Sequence, residues 1–126
     1  LAEILLSYFV KHGRERAQLH DSRIAPILEY IQQHLHVPIS VEQLADMACL
    51  TKSYFIRRFR QVVGITPVQY VLKRKVQHAQ KLLIESEKSV GQVAAEVGFA
   101  DTAYFIRIFK SHIGYTPQEY RVRLIG

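Results

Sequence analysis

Apolar residues fall at helical spacing along most of the chain. Leu1, Ile4, Leu5, Tyr8 and Phe9 form one stripe, and Gly13 marks its end. Residues 13–22 are polar and charged and read as a linker. Ile24, Ile27, Leu28, Ile31 and Leu35 repeat the period in a second helix, with Pro26 in its first turn and Pro38 beyond its end. Ser40-Val-Glu-Gln43 and Ser89-Val-Gly-Gln92 both have the form of a capping box, the Ser starting a helix and the Gln reaching back. Each opens a short helix, through Leu44-Ala45 in one and Val93-Ala94 in the other. Thr51 and Asp101 cap two further helices that end near Gly64 and Gly114. Thr66-Pro67 and Thr116-Pro117 place an N-cap before a proline at the first helical position. The helix from Pro67 runs to about Glu85, with Val71, Leu72, Val76, Ala79, Leu82 and Leu83 on its apolar side. No strand pattern competes, so the spacing predicts an all-α fold of about seven helices.

The chain also repeats itself. Thr51 to Tyr70, TKSYFIRRFRQVVGITPVQY, returns at Asp101 to Tyr120 as DTAYFIRIFKSHIGYTPQEY. Each copy is expected to be one structural unit. The offset is 49 at the serine caps and 50 afterwards, which puts one extra residue, Ala100, in the second turn. Gly98 suits a positive φ in that turn, where the first copy has Cys49, expected as a small buried residue. The organisation predicted is helix-turn-helix units over about 40–64 and 89–114, joined by a connecting helix over about 67–85. Residues 23–126 make the domain, and residues 1–22 a helix and linker ahead of it. Leu1 in place of Met, inside a helical pattern, reads as a fragment of a longer protein.

Charge narrows the partner. The net charge is +6, yet residues 1–40 are neutral, with four basic and four acidic side chains. Residues 51–84 carry Lys52, Arg57, Arg58, Arg60, Lys73, Arg74, Lys75 and Lys81 and no acidic residue. Such focusing is the footprint of a polyanion-binding surface. No apolar run is long enough to span a bilayer, and no signal peptide is visible. Cys49 is the only cysteine, which rules out an internal disulfide and suits a reducing cytoplasm.

On a helix, Phe55, Phe59 and Val62 share one face, and Ser53, Arg57 and Arg60 lie opposite, with Ile56 at the edge. The second copy turns Phe105, Phe109 and Ile108 inward and Ala103, Ile106, Arg107 and Lys110 outward. An arginine near the N-terminal half of a helix in the major groove can donate two hydrogen bonds to guanine. Arg57 and Arg107 are placed for that. Lys52, Ser53 and Thr102 can bond base edges, while Ile56, Ala103 and Ile106 can touch thymine methyls. Arg60 and Lys110 are set for phosphate. Helix starts at Thr66 and Thr116 offer N–H groups to phosphates, and Lys73 and Arg74 sit on the connector. A connector of about 19 residues spans roughly 28 Å, close to the roughly 34 Å between successive major grooves on one face of DNA.

Gly98-Phe99-Ala-Asp101-Thr-Ala-Tyr104-Phe105-Ile-Arg107-Ile-Phe109-Lys110, then Gly114-Tyr-Thr116-Pro117 and Tyr120-Arg121, resembles the AraC family of bacterial transcription regulators. The first half carries Leu44-Ala45, Tyr54-Phe55, Arg57, Phe59, Arg74, Ala79 and Leu82-Leu83 in the same order. The resemblance covers roughly Ile24 to Arg123. It implies two helix-turn-helix subdomains of homeodomain-like form joined by a long helix. It implies binding to double-stranded promoter-proximal DNA, with transcription regulated, mostly activated, through RNA polymerase in the bacterial cytoplasm and nucleoid. By the same resemblance, bases are contacted by Lys52, Ser53, Ile56 and Arg57 and by Thr102, Ala103, Ile106 and Arg107. In the family a helix ahead of the DNA-binding domain often belongs to an N-terminal sensing or dimerising domain. Leu1 to Val10 is therefore expected as the remnant of such a missing domain or as a linker helix packed on its own domain. The resemblance implies that any small-molecule effector acts through that missing domain and that the full-length protein is a homodimer. Ile56, Ile106 and Ala103 depart from the polar residues common in the family, leaving the second reader fewer hydrogen-bond donors.

Two rivals are weaker. His34-x-His36 and the scattered His12, His20, His78 and His112 match no metal-ligand spacing, and no phosphate loop or nucleophile–base pair is present. Catalysis and a cofactor are therefore not expected. A helical protein-interaction module would account for the apolar stripe at Leu1 to Phe9 but not for the paired Arg57 and Arg107.

Overall fold

A computed structural model describes residues 23–125. The expected helix over residues 1–12 lies outside them. Seven helices follow in order: α1 (Ala25–Gln33), α2 (Val41–Met47), α3 (Lys52–Val63), α4 (Pro67–Glu85), α5 (Val90–Glu96), α6 (Thr102–Ile113) and α7 (Pro117–Ile125). The described residues contain no strand. They divide into two compact units. One holds residues up to Ile31 and Ser40–Gln69, the other Gln32–Ile39 and Tyr70 onward.

In the first unit, Ile24, Ile27, Leu28, Ile31, Leu44, Ala45, Ala48, Phe55, Phe59 and Val62 are buried. The helix from Ile24 is shorter than its apolar period implies, ending at Gln33, and Leu35 is buried from the turn beyond. In the second unit the Lys75 ammonium on α4 meets carbonyls of the segment that follows that helix. Its Nζ donates to Leu35 O at 2.8 Å, Val37 O at 2.8 Å and Val97 O at 3.0 Å. Lys75 is only 4% exposed, and burial lowers its pKa to about 8. The second core consists of Val76, Ala79, Leu83, Val93, Ala94, Val97, Phe99, Phe105 and Phe109. Tyr120 meets Phe109 edge-on at 5.4 Å, and Arg121 donates to the carbonyls of Leu83 and Ser86, holding α7 against α4.

The two turns are built alike. Leu50 N donates to Ala45 O and Phe99 N to Ala94 O, and φ is positive at Cys49 (59°) and at Gly98 (83°). The copies then diverge by Ala100, as the change of offset predicts. Cys49 is exposed rather than buried. Ser89 and Gln92 form the full reciprocal capping box. Ser40 accepts from Gln43 N, but the Gln43 side chain goes to the Tyr30 hydroxyl at 2.7 Å instead of back to its own cap.

Candidate nucleic-acid interface

Burial of one helix face decides what the other presents. Thr51 accepts from Tyr54 N and starts α3, and Phe55, Phe59 and Val62 are fully buried along it. Lys52, Ser53, Arg57 and Arg60 are therefore brought together on the exposed side. Ile56 is half-buried at the edge. Lys52 is engaged with Glu42 at 2.8 Å, and that hydrogen bond holds the Glu42 carboxyl below its usual range. Both partners are well exposed, so the pair is weak and easily exchanged for another anion.

The second unit repeats the arrangement on α6. Asp101 accepts from Ala103 N, Phe105 and Phe109 are fully buried, and Thr102, Ala103, Arg107 and Lys110 are exposed. Ile106 departs from its expected outward placement. It packs against the core cluster and is only partly open to solvent, as is Ile108. An isoleucine at the margin of a buried face gains more from the core than from water, which a 100° helical wheel does not resolve.

Two residues on these faces were not singled out by the sequence reading. Tyr54 and Tyr104 are 36% and 41% exposed. The Arg57 guanidinium lies over the Tyr54 ring at 5.3 Å, and that of Arg107 over the Tyr104 ring at 5.7 Å. The available signal was the Tyr-x-x-Arg spacing in both copies, which puts the pair on adjacent turns of one face.

A helix-turn-helix domain family model matches residues 44–123. The DNA-binding domain of AdpA, a global transcriptional factor solved in complex with a target DNA, is 34% identical. It aligns at a TM-score of 0.77 over 79% of this chain and 90% of that one. The chain belongs to the AraC-type helix-turn-helix family. LumQ of Photobacterium leiognathi, a probable transcriptional regulator, is 44% identical over 56% of this chain and 29% of its own length. AdaA of Bacillus subtilis, named as a bifunctional transcriptional activator and DNA repair enzyme, is 37% identical over 60% of this chain and 36% of its own. This AraC-type chain thus spans about a third of the length of those two relatives.

Within the AraC-type frame the expected phosphate contacts separate by environment. Arg60, Lys110 and Lys73 are exposed. Arg74 is half-buried, its guanidinium held by Gln32 at 2.6 Å and 3.1 Å and by Gln77 at 2.6 Å. Lys75, counted in the basic tract, is buried and adds nothing to the surface. Thr66 and Thr116 form reciprocal caps, with their N–H groups donating to Gln69 and Glu119 side chains at 3.0 Å and 2.9 Å. Those N–H groups are thus already satisfied. The Thr116 N–H keeps the Glu119 carboxyl below its usual range, so a negative charge stands at the start of α7 and a neutral amide at the start of α4. Among the described residues no cluster of three or more His, Cys, Asp and Glu side chains can hold a metal.

Proposed function

We propose that this chain is the sequence-specific DNA-binding part of a bacterial transcription regulator, with α3 and α6 each entering a major groove. The observation that carries it is the duplicate helix. In both units the paired phenylalanines, Phe55 and Phe59 in one and Phe105 and Phe109 in the other, are fully buried, and Arg57 and Arg107 stand exposed at the same register. A helix whose outer face carries a forked donor near its N-terminal half suits guanine O6 and N7. Lys52, Ser53 and Ile56, with Thr102, Ala103 and Ile106, complete the two reading faces. Arg60, Lys110 and Lys73 take phosphate, and Thr66, Thr116 and Arg74, whose donors are already engaged within the chain, contribute less. The likeness to the AdpA domain, solved on its target DNA, supports duplex DNA as the ligand.

The word activator in the name of AdaA supports activation as the outcome. Contact with RNA polymerase, recognition of an effector and dimer formation are assigned to the longer regulator of which this chain is the reading part. The same reading places its work in the bacterial cytoplasm, on the nucleoid. Nothing in this reading calls for a reaction or a cofactor.

Selection from a randomised duplex library tests the proposal. Two enriched blocks about one helical turn apart are expected. Arg57→Ala should cost about 1–3 kcal/mol on the selected site and blur one base position, and Arg107→Ala should blur a different one. Equal losses on selected and scrambled duplexes would refute Arg57 as a base reader. Binding without any enrichment would favour the protein-interaction module instead.

A further inference from the structure

An exposed arginine samples many rotamers and gives up that freedom on binding. Two hydrogen bonds to one guanine further require the guanidinium plane to meet the base edge in a fixed orientation. Neither α3 nor α6 carries an acidic residue that would orient its arginine. What each helix does carry is a tyrosine one turn earlier. The Arg57 and Arg107 guanidinium groups lie 5.3 Å and 5.7 Å from the Tyr54 and Tyr104 ring centroids, within cation–π range. The same contact arises independently in two units.

The Tyr104 ring is itself anchored. Tyr104 lies 5.9 Å from Phe99, which packs at 5.2 Å on the fully buried Phe105. In the first unit Arg23 also places its guanidinium 5.9 Å from the Tyr54 centroid, so that ring serves two cations.

We propose that Tyr54 and Tyr104 are positioning residues for base readout, each ring stacking the arginine one turn on and pre-setting its plane before DNA arrives. This rests on the reading of Arg57 and Arg107 as base readers. It is the face of the ring that acts, so phenylalanine should replace tyrosine and an aliphatic side chain should not.

The test uses the whole chain, the duplex that wild type enriches from a randomised library, and a scrambled duplex of the same composition. The measured quantity is the ratio of the two dissociation constants. Tyr54→Phe should leave that ratio nearly unchanged. Tyr54→Leu should lower it about two- to fivefold, the size of an exposed cation–π contact, with binding to the scrambled duplex unaltered. Tyr104→Leu should do the same at the other block. In the double variant Tyr54→Leu with Arg57→Ala, the loss should not exceed that of Arg57→Ala alone, a coupling that a merely structural ring would not show. Thermal melting of each variant checks that the fold is kept.

Four results would overturn the inference. One is an equal Tyr54→Leu loss on both duplexes, and another is coupling to Arg23→Ala but not to Arg57→Ala. The third is an unchanged ratio for Tyr54→Leu beside a lowered one for Arg57→Ala, which refutes the ring's role while leaving the reader intact. A ratio insensitive to Arg57→Ala removes the base-reading assignment itself and this inference with it.

Discussion

Cys49 and Gly98 occupy the same place in the two turns, and their surroundings give them opposite tolerances. Both are left-handed, at φ 59° and 83°. For a residue with a Cβ that conformation costs about 1–2 kcal/mol, so Cys49→Gly should stabilise the first unit by up to about 1 kcal/mol after chain entropy is counted. Gly98 has no such freedom. A Cβ there would lie 2.4 Å from Lys75 Nζ, 2.8 Å from Val37 O and 2.9 Å from Leu35 O. Those carbonyls are the acceptors of the buried ammonium and cannot retreat without opening its hydrogen bonds. Gly98→Ala should therefore destabilise by about 3 kcal/mol, from backbone strain and overpacking together. Urea unfolding of both variants checks the pair, and a harmless Gly98→Ala would contradict the close approach. The need for a positive φ was legible in the sequence from the duplicated turn. The crowding at Gly98 was not, since it depends on residues 23 or more positions away.

At the scale of elements, α4 shows how a residue's type can mislead about its role. Lys75 stands among exposed cations in the sequence, yet its place on the apolar side of the helix carries it inward. There the carbonyls of Leu35, Val37 and Val97 replace water. Its folded pKa of about 8 lies below the ordinary 10.5. Between those values the unfolded chain holds the proton and the folded chain releases it. The unfolded state then binds more protons, so this group's contribution to stability rises with pH. Below about pH 8 the cost of the buried charge is fully present. Measured against Lys75→Met, wild type should gain stability from about pH 8 to about pH 10. A difference that stays flat, or falls, would contradict the assignment. Helix starts were more legible than this. Ser40, Thr51, Thr66, Ser89, Asp101 and Thr116 all cap or begin helices as their spacing predicts, because a cap is satisfied within a few residues. Gln43 departed from its predicted bond because Tyr30, thirteen residues earlier, offered a better partner.

For the whole molecule, the useful quantity is the charge that reaches the surface. The net charge of +6 overstates the phosphate-facing set, since Lys75 is buried and Arg74 is held by two glutamines. Each phosphate contact releases counterions and steepens the fall of log K with log salt by about 0.9. The double variant Arg60→Ala with Lys110→Ala should flatten that slope by about 1.8 and weaken selected and scrambled duplexes alike. A slope unchanged by the double variant would remove both residues from the phosphate contacts. Affinity insensitive to salt in wild type would point away from DNA altogether.

The sequence by itself determined the all-α class, the duplication, the helix limits to within a few residues and the buried faces of α3 and α6. Each follows from short-range physics: periodicity, caps, and proline and glycine geometry, all acting within a turn or two of helix. It also placed Arg57 and Arg107 on the exposed side, because Phe55, Phe59, Phe105 and Phe109 leave no other. Only the tertiary structure decided which cations remain available, where α1 ends, how far Ile106 turns inward and which way Cys49 faces. Those outcomes depend on groups brought together from distant parts of the chain, such as the Leu35, Val37 and Val97 carbonyls that meet at Lys75, and no local pattern announces such partners.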